Sequence, residues 1–284
     1  MLLPLLLACT GPETDDSTFM LDARLEPLPR ATSGGYPADD PEEAYFAAQH
    51  VVPGLHWGNS PPTELVIGMW EHLMGENVAD PGSCPYGVID GAEVVWSTEC
   101  RSQDGYNWSG TATEVTWSEG GQEWTHWTFD LQVDSDVESR TFDRIALDGE
   151  YIFGGADRDK GLLSHTEMDL VMEVEGYWDT IGKDRLGAAW APLALTGMWE
   201  TQLNGELELY QMKGHLELGD DGGLTFDGQG GLESDGCAVE PRGALALGDD
   251  VTLRFEGDNR CDNCAMHSVD GSDPTLACQS TGWL

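Results

Sequence analysis

Basic residues are scarce in this chain. Thirteen Lys and Arg stand against 52 Asp and Glu over 284 residues, and Lys160, Lys183 and Lys213 are the only lysines, giving a formal net charge of −39. Binding to nucleic acid starts from a basic patch that neutralises phosphates, so nucleic acid is not an expected partner. No apolar run approaches the roughly 20 residues of a helical membrane span. Catalytic signatures are missing too: there is no G-x-S-x-G elbow, no H-E-x-x-H, no phosphate-binding G-x-x-x-x-G-K-[ST] and no dinucleotide fingerprint opening a helix. His50, His56, His72, His165 and His215 are scattered without ligand spacing. The chain is therefore read as non-catalytic, with a glycoside hydrolase built on some pair of its many carboxylates as the enzymatic alternative.

The acidity fits a well-solvated surface, because net charge governs solubility and association more than fold. Calcium is the cofactor alternative to none, since that ion takes six to eight oxygen ligands. The nearest fragments of a calcium loop are Asp157-x-Asp159-x-Gly161 and Asp134-x-Asp136-x-Glu138, and neither completes the D-x-[DN]-x-[DN]-G pattern.

A short apolar run, Leu2 to Ala8, ends at Cys9 and gives way to a polar stretch. Residues 1–8 read as an export signal. Leu6-Leu7-Ala8-Cys9 resembles the lipobox of bacterial lipoproteins, in which the cysteine becomes the lipidated first residue of the mature chain. The resemblance implies lipidation of Cys9, a membrane anchor and, with Thr10 in place of Asp, an outer-membrane address in a cell envelope, on its periplasmic or surface face. Several acyl chains make such an anchor effectively permanent, at about 0.8 kcal/mol per buried methylene. Residues 9–38, rich in Gly, Pro, Ser, Thr and Asp, read as a flexible acidic tether.

With Cys9 set aside, Cys84, Cys100, Cys237, Cys261, Cys264 and Cys278 remain, an even number suited to disulfides in an exported protein. Cys84 and Cys100 stand alone in the first half and form the natural pair. The other four are expected to staple a C-terminal segment in an unassigned connectivity. Cys261-x-x-Cys264-x-x-His267 offers zinc ligands as a lesser alternative. Ala265 after the second cysteine excludes a haem attachment motif, and the thioredoxin-like context of a redox C-x-x-C is missing.

Residues 39–80 carry helical periodicity in ADDPEEAYFAAQHV and SPPTELVIGMWEHLMGEN, which predicts a short helical pair. From Cys84 the period becomes two. SHTEMDLVMEVEGYW sets Met168, Leu170 and Met172 on one side and His165, Glu167 and Asp169 on the other, which is assigned to water. EWTHWTFDLQV, FDRIALDGEYIF and DVTLRFEG alternate in the same way. Gly- and Asp-rich turns separate these runs. The expected fold is mainly β, an antiparallel meander forming a large twisted sheet, sandwich or partial barrel, with the helical pair against it. An antiparallel β domain is assigned to residues 81–233 and a cysteine-rich β subdomain to residues 234–284. A transmembrane barrel is disfavoured because DPTLACQSTGWL is not a clean last strand.

Cys84-Pro85, Cys100 and Gly105-Tyr106-Asn107-Trp108-Ser109-Gly110 resemble a segment of exported proteins of myxobacterial type, a group that implies no particular activity. Eleven tryptophans suggest stacking on sugar rings, with Trp108, Trp117 and Trp124 as candidates, although packing on the sheet is the commoner role of such residues. The expected function is that of a lipid-anchored envelope protein acting as a binding or structural module. The membrane is its partner through the anchor, together with an envelope glycan or protein. The alternatives are a carbohydrate-binding or calcium-stabilised adhesion module.

Overall fold

The computed structural model describes residues 19–25, 35–52, 82–97, 99–102, 105–135, 144–175, 193–204, 207–218, 222–232, 241–256 and 264–278. These form one helix, α1 (Pro41–Val51), and one open antiparallel sheet. Its strands begin with β1 (Tyr86–Asp90), β2 (Glu93–Ser97), β3 (Cys100–Arg101), β4 (Tyr106–Glu119) and β5 (Gln122–Ser135). The long central strands are β6 (Arg144–Gly154), β7 (Leu162–Glu175), β8 (Leu193–Asn204), β9 (Leu207–Leu218) and β10 (Gly223–Leu232). The sheet ends with β11 (Pro241–Leu247), β12 (Val251–Glu256), β13 (Cys264–Val269) and β14 (Thr275–Cys278).

Sheet order follows chain order except that the two-residue β3 pairs with β4 beside the main path. This is the expected meander, and turn chemistry closes its tightest hairpins. Gly120 and Gly121, both at positive φ, close the hairpin between β4 and β5, and Gly248 does so between β11 and β12. β10 pairs with β11, so the sheet continues unbroken between the regions read as a β domain and a C-terminal subdomain.

The period of two gives the sheet two different faces. Trp127, Phe129, Leu131 and Val133 of β5 are buried together, as are Ile145 and Leu147 of β6 and Val251, Leu253 and Phe255 of β12. A lateral row on this face runs through Trp199, Met212, Gly228, Leu245, Leu253 and His267. Helix α1 lies on the same side, touching β12, β13 and β14. Asp40 caps it by accepting the N–H groups of Glu42 and Glu43, and Pro41 opens the first turn. Its buried side carries Ala44, Ala47, Ala48 and Val51, small residues that let it approach the strands closely.

Two polar contacts from that row fix the helix. The Trp199 Nε1–H donates to the Val51 carbonyl at 2.9 Å, and His267 Nε2 bonds the Ala38 carbonyl at 3.0 Å. Trp199 and His267 stand on β8 and β13, five strand spacings apart, so the two bonds hold opposite ends of the stretch from Ala38 to Val51. The second expected helix lies outside the described residues.

Both disulfides that fall within the described residues join neighbouring backbone. Cys84 pairs with Cys100, as expected, with Cα atoms 5.8 Å apart. Cys264 pairs with Cys278, its direct cross-strand neighbour on the edge strand β14. Cys264 is thus not available as a zinc ligand, and His267 is buried against Ala38. Cys9, Cys237 and Cys261 lie outside the described residues.

Gly149, in mid-strand, has φ +124°, and a Cβ there would sit 2.0 Å from the Asp169 carbonyl oxygen of β7. Backbone must move to admit any side chain. Gly149→Ala is expected to cost about 1–3 kcal/mol, read as a lower urea midpoint with an unchanged m-value.

Candidate functional site

The second face of the sheet departs from the expectation of a wet surface. A row there runs through Trp117, Trp124, Gly154, His165, Glu200 and Gln211. His165, Glu167, Glu200, Asp169 and Gln211 are all buried, with His165 and Glu200 no more than 1% exposed. Residues 19–25, read from sequence as part of a flexible tether, are what the buried carboxylates bind.

Each contact follows from strand geometry. Glu167 lies two residues beyond His165 on β7, and Glu200 is paired with His165 across β8, so both carboxylates flank one imidazole. His165 Nε2 meets Glu167 at 2.7 Å and Nδ1 meets Glu200 at 3.0 Å. Gly154 separates Trp124 from His165 in the row and carries no side chain, so the Trp124 ring reaches over it to meet the imidazole edge-on at 5.7 Å.

The N-terminal segment completes the cluster with main-chain donors. The N–H groups of Met20 and Leu21 donate to Glu200 at 2.8 and 2.9 Å. Those of Arg24 and Leu25 donate to Glu167 at 2.8 and 2.7 Å. Gln211 and Gln202 add side-chain amide bonds to Glu200. Arg24 then lays its guanidinium over Trp124, 3.8 Å from the ring centroid, and pairs with Glu119 at 2.8 Å.

Burial alone would pull the His165 imidazole below its ordinary 6.5, but the hydrogen bonds and attraction of Glu167 and Glu200 outweigh it and raise the pKa. Burial likewise pushes Glu167 and Glu200 up from 4.5, yet the bonds from His165 and the backbone N–H groups bring both below it. The cluster is thus an imidazolium between two carboxylates. All four carboxylate oxygens already accept bonds, so this cluster presents no free base to a substrate. Its chemistry is to hold an extended backbone by its N–H groups.

Beside the segment lies a cavity of about 520 Å³. Ala23 and Leu25 of the segment form one wall, and Met198 and Ala246 belong to the sheet floor. Gly197 and Gly214 face each other across β8 and β9 and add backbone to the lining, while Thr196, Met198, Lys213 and His215 beside them supply its side chains. Its polar lining residues are Glu167, Asp169, which accepts from the Thr196 hydroxyl at 2.7 Å, Lys213, His215, Thr225 and Asp227. Lys213 also stands over the Phe19 ring, 4.8 Å from its centroid.

Of the tryptophans singled out from sequence, Trp117 and Trp124 join this row and Trp108 lies on the other face. Trp108 is buried on the helix-bearing face and Trp124 is buried under Arg24, so neither ring is open to a sugar. Trp117 is half-buried and stacks on Trp124 at 6.1 Å. Asp157 is engaged with Lys160 at 2.9 Å in the turn before β7. Glu200 and Gln211 were not distinguishable in sequence. The visible signals were the H-x-E spacing of His165 and Glu167 on one strand face, and the apolar Phe19, Met20, Leu21 and Leu25 within a stretch otherwise suited to a tether.

No known protein family, curated protein or solved structure matches the chain.

Replacing Glu167 by Gln keeps the shape but turns an amide towards the Arg24 and Leu25 N–H groups. Glu167→Gln is expected to lower stability by about 2–3 kcal/mol. Amide exchange should show protection lost at Arg24 and Leu25 and retained at Met20 and Leu21, whose acceptor is Glu200.

Proposed function

We propose that this chain is a lipid-anchored, non-catalytic binding protein of a bacterial cell envelope. Its ligand is a small molecule with an apolar body and a cationic end, and its site is the cavity beside residues 19–25. The cavity carries the proposal. Its volume lies within the range of small-molecule sites, and its lining is mainly apolar with a few convergent polar groups. Asp169 and Asp227 outnumber Lys213 there, and a chain of net charge −39 draws cations and repels anions. The Leu6-Leu7-Ala8-Cys9 sequence supports the anchor and the envelope address.

Two measurements test these statements. Calorimetric titration of the intact chain with dodecylamine below its micelle concentration should give saturable binding, whereas dodecanoate should give none. Met198→Trp fills the cavity and should abolish the amine signal while leaving thermal stability close to the parent's. Equal binding of amine and acid, or amine binding indifferent to Met198→Trp, would sink the ligand class or the site respectively. Mass spectrometry of the mature N-terminus should find Cys9 acylated, and an unmodified Cys9 would remove the anchor.

A further inference from the structure

We propose that residues 19–25 are a detachable wall of the ligand cavity, latched by the Glu167–His165–Glu200 cluster, so that unseating the segment releases the ligand. This presupposes the ligand site described above, whereas the latch itself does not depend on any ligand.

The segment has the properties of a removable part. It forms no strand, and its bonds to the cluster come from backbone N–H groups, with the Arg24 and Phe19 side chains adding contacts outside the cluster. Arg24 and Leu25 donate to Glu167, while Ala23 and Leu25 line the cavity. The residue that closes the latch also walls the site. Movement of Leu25 away from Glu167 therefore opens the cavity along one side.

The charged groups facing His165 are Glu167 and Asp169 on its own strand and Glu200 on β8. Asp22 and Arg24 belong to the segment, with Glu119 of β4 on Arg24 and Lys213 of β9 one row away. β5 and β9 contribute only the neutral Trp124 and Gln211 to the row itself. The imidazolium holds two carboxylates that would otherwise repel each other, and the carboxylates hold the backbone.

The sign of the pH dependence follows. His165 is raised above 6.5, so its contribution is complete below 6.5 and fades as pH rises through the higher folded value. Glu167 and Glu200 are lowered below 4.5, so theirs is complete above 4.5 and fades as pH falls through the lower folded values. The latch is firmest between these two ordinary values and loosens on either side.

The test is amide hydrogen exchange on the intact chain across pH, expressed as protection factors, with β11 and β12 as internal reference. Protection at Met20, Leu21, Arg24 and Leu25 should fall once pH passes the raised value of His165, while the reference strands hold theirs. His165→Gln, which cannot titrate, should lower the plateau and flatten the alkaline limb. If the four amides track the reference strands at every pH, the segment is a fixed part of the fold and the latch is wrong. Dodecylamine affinity, followed in parallel, should decline in step with protection. Loss of protection with no amine binding at any pH would uphold the latch and overturn the ligand, and binding that ignores an open latch would separate the segment from the site.

Discussion

An imidazolium flanked by two carboxylates on a buried sheet face needs more hydrogen-bond donors than the sheet can offer. Each interior strand commits its own N–H groups to its neighbours, so the ladder has none to spare. Side-chain amides supply part of the need, through Gln202 and Gln211. The remainder must come from backbone that belongs to no strand, and residues 19–25 meet that condition. Burial of the charges and docking of the segment are therefore one event, since neither is tolerable without the other.

The same logic arranges the two sides of the sheet. A wide open meander buries a face only if something covers it, and the chain covers both from its N-terminal part. Helix α1 lies on the apolar side with small residues against the strands, tied by Trp199 and His267 to its own end carbonyls. The segment before it lies on the polar side, tied by carboxylates to its N–H groups. One covering element is held mainly by apolar contact with polar pins, the other mainly by charge. Their sensitivities differ accordingly: salt and pH bear on the second far more than on the first.

Much of the architecture was legible because it rests on alternation, a local property. Trp127, Phe129, Leu131 and Val133 fall on one face wherever β5 is placed, and turn residues fix the meander. The Cys84–Cys100 bridge was legible because few partners were on offer. The polar face was not, since alternation says which residues share a side and nothing about what later covers it. Glu167 looks solvated in sequence because the N–H groups that donate to it lie more than 140 residues away. The tryptophans misled for a related reason: Trp124 sits on the face assigned to water, and the docked Arg24 covers its ring. Long-range donors leave no periodic trace.

The position of the docked segment also fixes a length. In a chain anchored through Cys9, as proposed, Phe19 is ten residue steps from the anchor, a reach of about 34 Å even when fully extended. With the segment unseated, the next attachment among the described residues is at Tyr36, buried near the start of α1, and the reach grows to about 90 Å at most. The two extremes differ by more than the thickness of a bilayer. On the proposed anchor at Cys9, the hold of two carboxylates on four amides would thus set how close to the membrane surface the whole sheet must stay.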